Sequence, residues 1–275
     1  MIIPASNEAG YIAACLEALL RSDTAAAFET VVVANGCRDA TAAIARQTAA
    51  RLARAERPVR VIERAEGGKP GALQCGDAAA AAPIRVYLDA DVIVSPGLIG
   101  ALIAALDTDA PRFAGGRPEI APAQSALTRA YARFWQRLPF FRSAVPGFGL
   151  FAVNAAGRGR WGVWPAIISD DTFARLHFTP EERICVPHGY RWPMAEGLGR
   201  LVAVRRRQDR GVAEIAARYP ELMRNRDRAE TGLGRKLGAA LADPVGLAVY
   251  ALVALCVRLP APGAPRGGSG WTRGR

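Results

Sequence analysis

Cysteine and histidine are scarce in this sequence of 275 residues, which contains five cysteines and two histidines. The cysteines are widely separated, form no C-x-x-C pair and have no histidine at zinc-ligand spacing. This pattern argues against a structural zinc site and against a disulfide framework, and it favours a reducing compartment. His177 and His188 are interpreted as packing or surface residues.

The usual glycine motifs for binding phosphate are also lacking. No G-x-G-x-x-G follows the first predicted strand, which argues against a nicotinamide-dependent enzyme. The loop at Gly68-Lys69 is not a Walker A loop, because Pro70 follows the lysine where Ser or Thr is required. Backbone N–H groups freed by glycine and one ammonium can still contact a phosphate there.

Long hydrophobic runs are absent. The N-terminus lacks the basic and apolar regions of a signal peptide, so a cytoplasmic protein is expected. The apolar run at residues 245–259 is shorter than the ~18 residues of a spanning helix. It predicts a buried helix or a helix at the inner face of the membrane. Residues 260–275 have little to bury and are predicted to be disordered.

Arginine, in contrast, is abundant. The net charge is +11, and residues 200–236 contain eleven basic and five acidic side chains. A basic chain attracts nucleic acid, anionic lipid or phosphorylated substrates, while a solvated helical face explains this segment equally well. The run at residues 205–210 has no interleaved aromatic side chains and no recognition-helix signature, so no nucleic-acid partner is expected.

The first hundred residues alternate between short β-like apolar runs and helical patterns, which is typical of an α/β fold with a parallel sheet. Strands are predicted at residues 1–4, 30–34, 59–62 and 84–88, and a helix at 41–55. Ser95 and Pro96 are predicted as the N-cap and first residue of the next helix. Further on, the pattern predicts strands at 112–116 and 182–187, helices at 123–138 and 198–219, and a glycine loop at 146–149.

Asp89-Ala90-Asp91 places two carboxylates two residues apart where a predicted strand ends. A strand sends both side chains to one face, where they repel unless a cation or hydrogen bonds compensate them. A divalent metal that holds a diphosphate fits, since Mg²⁺ and Mn²⁺ prefer oxygen ligands. The alternative interpretation is a polar turn after a strand.

Asp170 and Asp171 lie at the start of a predicted helix, directly after Ser169. The helix dipole favours acidic residues in a first turn, so capping explains them. The functional alternative is a general base that takes the proton of an acceptor hydroxyl in a partly desolvated site.

The order of these motifs is more specific than any one of them. The chain resembles the nucleotide-binding half of a family 2 glycosyltransferase in four successive segments, Ile2-Ile3-Pro4-Ala5-Ser6-Asn7-Glu8, Val32-Val33-Ala34-Asn35-Gly36-Cys37-Arg38-Asp39-Ala40-Thr41, Gly68-Lys69 and Leu88-Asp89-Ala90-Asp91. Residues 147–151, Ser169-Asp170-Asp171 and the arginine run resemble the family's acceptor half more loosely.

The resemblance implies a GT-A type fold, in which helices flank a mostly parallel sheet and a helical extension follows. It also implies an inverting mechanism and a nucleotide-diphosphate sugar, with a UDP-sugar expected, bound together with Mg²⁺ or Mn²⁺. The corresponding division is a nucleotide-sugar-binding half at 1–106, an acceptor and catalytic half at 107–211, C-terminal helices at 212–259 and a tail at 260–275.

Roles for individual residues also follow from the resemblance. Asp171 would be the catalytic base and Asp170 the acid before it, while Asp91 would be the direct metal ligand and Asp89 would lie near ribose and metal. The residues expected at the nucleotide or its phosphates are Pro4, Ser6, Glu8, Asn35, Asp39, Lys69, Asp89 and Arg207. Phe148 and Gly149 are expected on the acceptor side.

Two departures from the family pattern bear on substrates. Ala34 stands where many members carry a carboxylate that contacts the base, which leaves uracil selectivity open. Gln208 stands where membrane synthases carry a tryptophan, so transfer of one sugar is expected rather than processive synthesis. The motif order, the basic segment and the apolar run at 245–259 together lead us to expect a lipid-linked or membrane-presented acceptor. Two alternatives remain: a nucleotidyltransferase of similar topology, and a non-catalytic basic protein that binds membrane or nucleic acid.

Overall fold

A computed structural model describes residues 1–138, 141, 145–227 and 242–259. The predicted disordered tail at 260–275 lies outside the described residues, as does part of the predicted helical region at 212–259. The chain divides into two compact units. The sheet unit comprises Met1–Glu119, Ala144–Trp192 and Glu221–Arg226, and the helical unit comprises Ile120–Ser143, Pro193–Pro220 and Asp227–Arg275.

The described strands are β1 (Ile2–Ala5), β2 (Thr30–Asn35), β3 (Val59–Arg64), β4 (Arg85–Leu88), β5 (Ile93–Val94), β6 (Phe113–Ile120), β7 (Leu150–Val153) and β8 (Arg183–Trp192). The described α-helices are α1 (Ile12–Leu20), α2 (Thr41–Leu52), α3 (Lys69–Ala79), α4 (Leu98–Leu106), α5 (Ala126–Trp135), α6 (Ala155–Arg158), α7 (Asp170–Leu176), α8 (Leu198–Arg218) and α9 (Pro244–Arg258). Short 3-10 helices cover Pro180–Glu182 and Pro220–Asn225.

The eight strands form one mixed sheet in the order β3-β2-β1-β4-β7-β6-β8-β5. The four neighbouring strands β3, β2, β1 and β4 are parallel. In contrast, β7 runs antiparallel to both β4 and β6, and β5 runs antiparallel to β8. The carboxyl ends of parallel strands share one edge of a sheet, where α/β proteins bind ligands. The loops after β1 and β2 and the aspartate after β4 therefore begin at the same edge. The predicted α/β class is confirmed.

Hydrophobic periodicity positions the helices on the sheet. In α1 the residues Ile12, Cys15, Leu16, Leu19 and Leu20 recur at helical spacing, and all five are buried in the main core cluster. The continuous apolar run of β2 has every residue buried, as expected for a central parallel strand covered on both faces. Local pattern and burial thus agree in the first half of the chain.

The prediction that Ser95 caps α4 is wrong. The helix starts at Leu98, two residues after the predicted first residue Pro96, with Gly97 in the N-cap position. The physical reason is long-range pairing, because β5 is hydrogen-bonded to β8 and the Ser95 N–H donates to the carbonyl of Gly189 at 3.1 Å. This pairing keeps the segment extended past the residues that locally favour a helix start.

The bounds of several other helices and strands also differ from the prediction. The helix predicted at 123–138 is shorter, because the Ser125 side chain accepts from the Thr128 N–H and begins α5 at Ala126. The strands predicted at 112–116 and 182–187 extend to Ile120 and Trp192. The pattern missed β7, four apolar residues that are all buried between β4 and β6. Such a short run carries no periodicity that distinguishes a strand from a loop.

Arg57 provides a first testable contribution to stability. Its guanidinium donates to the carbonyl oxygens of Leu20 (2.7 Å), Ser22 (2.9 Å) and Thr24 (2.5 Å), just beyond the end of α1. We expect Arg57→Ala to lower the free energy of unfolding by about 1–3 kcal/mol, because three carbonyls lose their charged donor. Urea unfolding measures the effect. Arg54→Ala is the matched control at an exposed position, and an equal loss in both variants would contradict the proposed role of Arg57.

Candidate active site

The loops that follow β1 and β2 are tied together by hydrogen bonds. The Asn7 side chain accepts from the Arg38 N–H at 2.6 Å, and Asp39 accepts from the backbone N–H groups of Ala9 (3.2 Å) and Thr41 (3.0 Å). Asn7 has a positive φ of 54°, which asparagine tolerates better than most residues. Both carboxylate oxygens of Asp39, a predicted nucleotide-binding residue, are thus engaged in shaping the two loops.

Asn35, another predicted nucleotide-binding residue, joins the same edge to the Gly68-Lys69 segment. Its buried amide donates to the Ala5 carbonyl at 3.1 Å and accepts from the Gly68 N–H at 3.0 Å. The neighbouring Gly36 has a φ of 57°, and a Cβ there would lie 2.8 Å from Cα of Gly67. Glycine is therefore required for the close approach of the two loops. This contact fixes the backbone from which α3 begins.

Lys69 is the first residue of α3, not a loop residue, and it lies at the centre of a charged cluster. Its Nζ is 2.8 Å from Oδ1 of Asp89 and 3.1 Å from Oδ2 of Asp170. Burial alone would lower the pKa of Lys69, but the carboxylates of Asp170 and Asp89 raise it above its ordinary value. The lysine is therefore a permanent cation that links the end of β4 to the start of α7.

Asp171 lies in the same cavity as this cluster. The cavity is lined by Pro4, Lys69, Asp89, Gly147, Gly149, Asp170 and Asp171, among others. Burial and the adjacent Asp170 raise the pKa of Asp171 to about 6, although Lys69 opposes the shift. Its Oδ1 accepts from the Thr172 N–H at 2.6 Å. The cavity thus holds a half-buried carboxyl group with a raised pKa, which is a property suited to a general base.

The remaining predicted site residues lie in several places. Ser6 and Glu8 are partly buried in the loop after β1. Asp91 is partly buried two residues beyond Asp89 and is not among the residues that line the cavity. Phe148, next to the lining residue Gly149, stacks on Trp192 with ring centroids 5.6 Å apart. Arg207 lies on α8 in the helical unit.

Sequence reasoning missed Tyr87 and Asp77. Tyr87 lines the cavity, and its hydroxyl donates to Asp77 at 2.7 Å. The same carboxylate accepts from the indole N–H of Trp164 (2.7 Å) and from Nε of Arg158 (3.0 Å). A signal existed for Tyr87, because strand alternation places it on the same face as Asp89 two residues later. No local signal marks Asp77.

The sheet topology, the hydrogen-bonded loops and the carboxylate cluster agree with a glycosyltransferase of the GT-A fold, and comparisons with known proteins show this class. The family described as Glycosyl transferase family 2 matches residues 1–158, more than half of the chain, and the protein belongs to this family. The predicted enzyme class is confirmed, and family membership favours glycosyl transfer over the two alternatives.

Solved structures support the fold. A mannosyltransferase from Pyrobaculum calidifontis, PcManGT, in complex with GDP-Man and Mn²⁺, has a TM-score of 0.61 at 19% identity, with 95% of this chain and 75% of that chain covered. Glucosyl-3-phosphoglycerate synthase from Mycobacterium tuberculosis, with Mn²⁺, UDP and glucosyl-3-phosphoglycerate, has a TM-score of 0.53 at 20% identity, covering 79% and 78%.

TarS (residues 1–349) from S. aureus, in complex with UDP, has a TM-score of 0.52 at 15% identity, covering 78% of this chain and 64% of that chain. At these identities the likeness concerns the fold alone. A search of curated proteins finds no match.

Proposed function

We propose that the protein is an inverting glycosyltransferase that moves one sugar from a nucleotide-diphosphate sugar to an acceptor hydroxyl. The observation that carries the proposal is the half-buried Asp171, whose pKa is raised to about 6, in one cavity with Lys69 and Asp89. Asp171 takes the proton from the acceptor hydroxyl as that oxygen attacks the anomeric carbon. Attack on the face opposite the leaving diphosphate inverts the configuration at that carbon.

The donor set of the cavity is compatible with a divalent cation. Asp89 lines the cavity with one carboxylate, and Asp91 adds a second two residues later, partly buried and outside the lining residues. Oxygen ligands with surplus negative charge suit Mg²⁺ or Mn²⁺. Among the described residues, no group of three or more Cys, His, Asp or Glu side chains forms a complete metal site. Two carboxylates suffice where diphosphate and water complete the shell.

We propose Asp89 and Asp91 as the residues that hold the metal. When bound, the metal would neutralise charge on the departing diphosphate. Lys69 carries its fixed positive charge on the same side of the cavity and stabilises the same group. The neighbours solved with Mn²⁺ support this assignment by analogy of fold.

The finer features of the proposal concern the substrates. A UDP-sugar is the proposed donor. Ala34 offers no carboxylate to the uracil base, so a screen of nucleotides must test this choice of base. Gln208, where a processive synthase carries tryptophan, supports transfer of a single sugar. A lipid-linked or membrane-presented hydroxyl is the proposed acceptor.

A thermal-shift screen of nucleoside diphosphates with and without Mn²⁺ tests the donor site. We expect one nucleotide to raise the Tm by several degrees only when Mn²⁺ is present, because a ligand at 100 times its Kd stabilises the native state by about 2.7 kcal/mol. Asp91→Ala and Asp89→Asn should abolish the Mn²⁺-dependent part, and Asp107→Asn, at an exposed position, should retain it. Metal-independent binding, or full metal dependence in Asp91→Ala, would contradict the metal assignment.

A further inference from the structure

The charge of the protein is segregated between its two units. The sheet unit contains nineteen basic and nineteen acidic residues and is neutral, whereas the helical unit contains seventeen basic and six acidic residues. Among the residues that the structure describes, the helical unit has ten basic and five acidic side chains, so the excess of positive charge lies in this unit there too. A field of one sign on one unit attracts anionic partners to that unit, in addition to any anionic ligand of the cavity.

The helical unit also exposes an apolar stripe on α9. Val245, Leu252 and Leu255 are exposed by 62%, 42% and 58% and recur at intervals of seven and three residues along one face of α9, and Leu259, 53% exposed, follows just beyond the end of the helix. The other face is packed: the ring of Tyr250 stacks on Tyr131 with centroids 5.6 Å apart and lies tilted against Phe134 with centroids 5.2 Å apart. None of the helices in the described ranges combines the length and the apolar character that a bilayer crossing requires.

Guanidinium groups lie at both ends of this stripe. Asp243, the N-cap of α9, is buried, accepts from the Gly246 N–H at 2.9 Å and pairs with Arg133 at 3.4 Å. At the other end, Arg206 donates to carbonyl oxygens of the last turn at 2.5–3.2 Å. Arg258 is exposed beside Leu259. The helix itself, Pro244–Arg258, contains no acidic residue.

We propose that α9 and its flanking arginines form a docking surface for an anionic lipid bilayer. The apolar stripe enters the region between headgroups and acyl chains, with the helix axis parallel to the membrane plane, and the arginines meet the lipid phosphates. The competing occupant of the stripe is a second copy of this chain. Two copies of a unit this basic repel each other, whereas an anionic bilayer attracts it, so charge favours the bilayer. The proposal does not depend on the catalytic assignment.

Vesicle flotation with the full chain tests the proposal. We expect binding to phosphatidylcholine vesicles that contain about 30 mol% phosphatidylglycerol to exceed binding to pure phosphatidylcholine by at least about tenfold, and to weaken as salt is raised. Leu252→Glu combined with Leu255→Glu should reduce binding to the anionic vesicles by at least about tenfold. Val163→Glu is the matched control, since Val163 is 75% exposed in the sheet unit, and it should bind as the wild type does.

Two further measurements keep the result decisive. Circular dichroism verifies the fold of the double variant, and Arg258→Glu, which leaves the stripe intact, should weaken binding to anionic vesicles severalfold by reversing one charge. Equal binding to both vesicle types, or wild-type binding by the double variant, would overturn the proposal. So would a dimer in light scattering that the double variant dissociates, without any vesicle binding, because the stripe would then face a second copy.

Discussion

Replacing Asp171 with asparagine is expected to lower turnover by about 10²–10⁴-fold, because general-base assistance to the attacking hydroxyl is lost. Donor binding should persist, since asparagine fills nearly the same volume and Lys69 keeps its contacts with Asp89 and Asp170. The measurement compares kcat with the Mn²⁺-dependent thermal shift by the nucleotide. Asp109→Asn, at an exposed position of the sheet unit, is the control and should change neither quantity.

The raised pKa of Asp171 makes the same variant informative about stability. A carboxyl whose pKa rises from 3.8 to about 6 on folding keeps its proton in the native state where the unfolded chain has lost it. The stability of the wild type therefore falls as the pH rises through this window. Asparagine removes the group, so above pH 6 the variant should be more stable than the wild type by about 1–3 kcal/mol.

Urea unfolding at two pH values, one below about 4 and one above about 7, checks this. The gain of Asp171→Asn over the wild type should be present only at the higher pH. The kcat/KM of the wild type should fall below about pH 6 as the base takes up its proton. A variant that is inactive and also less stable at both pH values would indicate that Asp171 supports the fold and is not held there for catalysis.

Replacing Lys69 with methionine should have the largest effect on stability. The substitution leaves Asp89, Asp170 and Asp171 in one cavity without the ammonium that contacts two of them. Removing one partner of a buried ion pair costs about 3–5 kcal/mol. The loss should be greatest above the pKa of Asp171 and shrink in acid, where the carboxylates take up protons. Because its own pKa is raised, Lys69 retains its stabilising charge across the neutral range in the wild type.

The Lys69→Met variant also tests the metal site. Mn²⁺ should raise the Tm of this variant more than that of the wild type, because the ion supplies positive charge that the carboxylates have lost. Lys69→Arg keeps the charge and should recover most of the stability. If Lys69→Met unfolds at the wild-type urea concentration at neutral pH, the ion pairs contribute nothing to the fold and the cluster has been misinterpreted.

Local patterns predicted the elements from β1 to β4 because burial and periodicity coincide there. The apolar positions of α1, the buried run of β2 and the acidic start of α7 are each properties of a few consecutive residues. The order of motifs then indicated the family, which the match over residues 1–158 confirms. The roles assigned to all the site residues, from the catalytic Asp171 to Asp91, Arg207 and Phe148, stay predictions.

Contacts between distant segments could not be predicted in the same way. Lys69 and Asp170 are separated by a hundred residues of sequence, and nothing around either residue indicates that they form an ion pair. The start of α4 was mispredicted because pairing of β5 with β8 overrode the Ser95-Pro96 signal. The arginine run illustrates the same limit, since Arg206 binds carbonyls of α9 that lie fifty residues away.

The carboxylate of Asp77 has a consequence for how the cavity can change over time. It lies on α3, whose first residue is Lys69, and it holds both Tyr87 of β4 and Trp164, which lies six residues before Asp170. A shift of α3 is therefore expected to displace β4 and the segment that precedes α7. Substitutions on one side of the cavity are therefore expected to shift the other side as well, and the two sides are expected to change together in evolution.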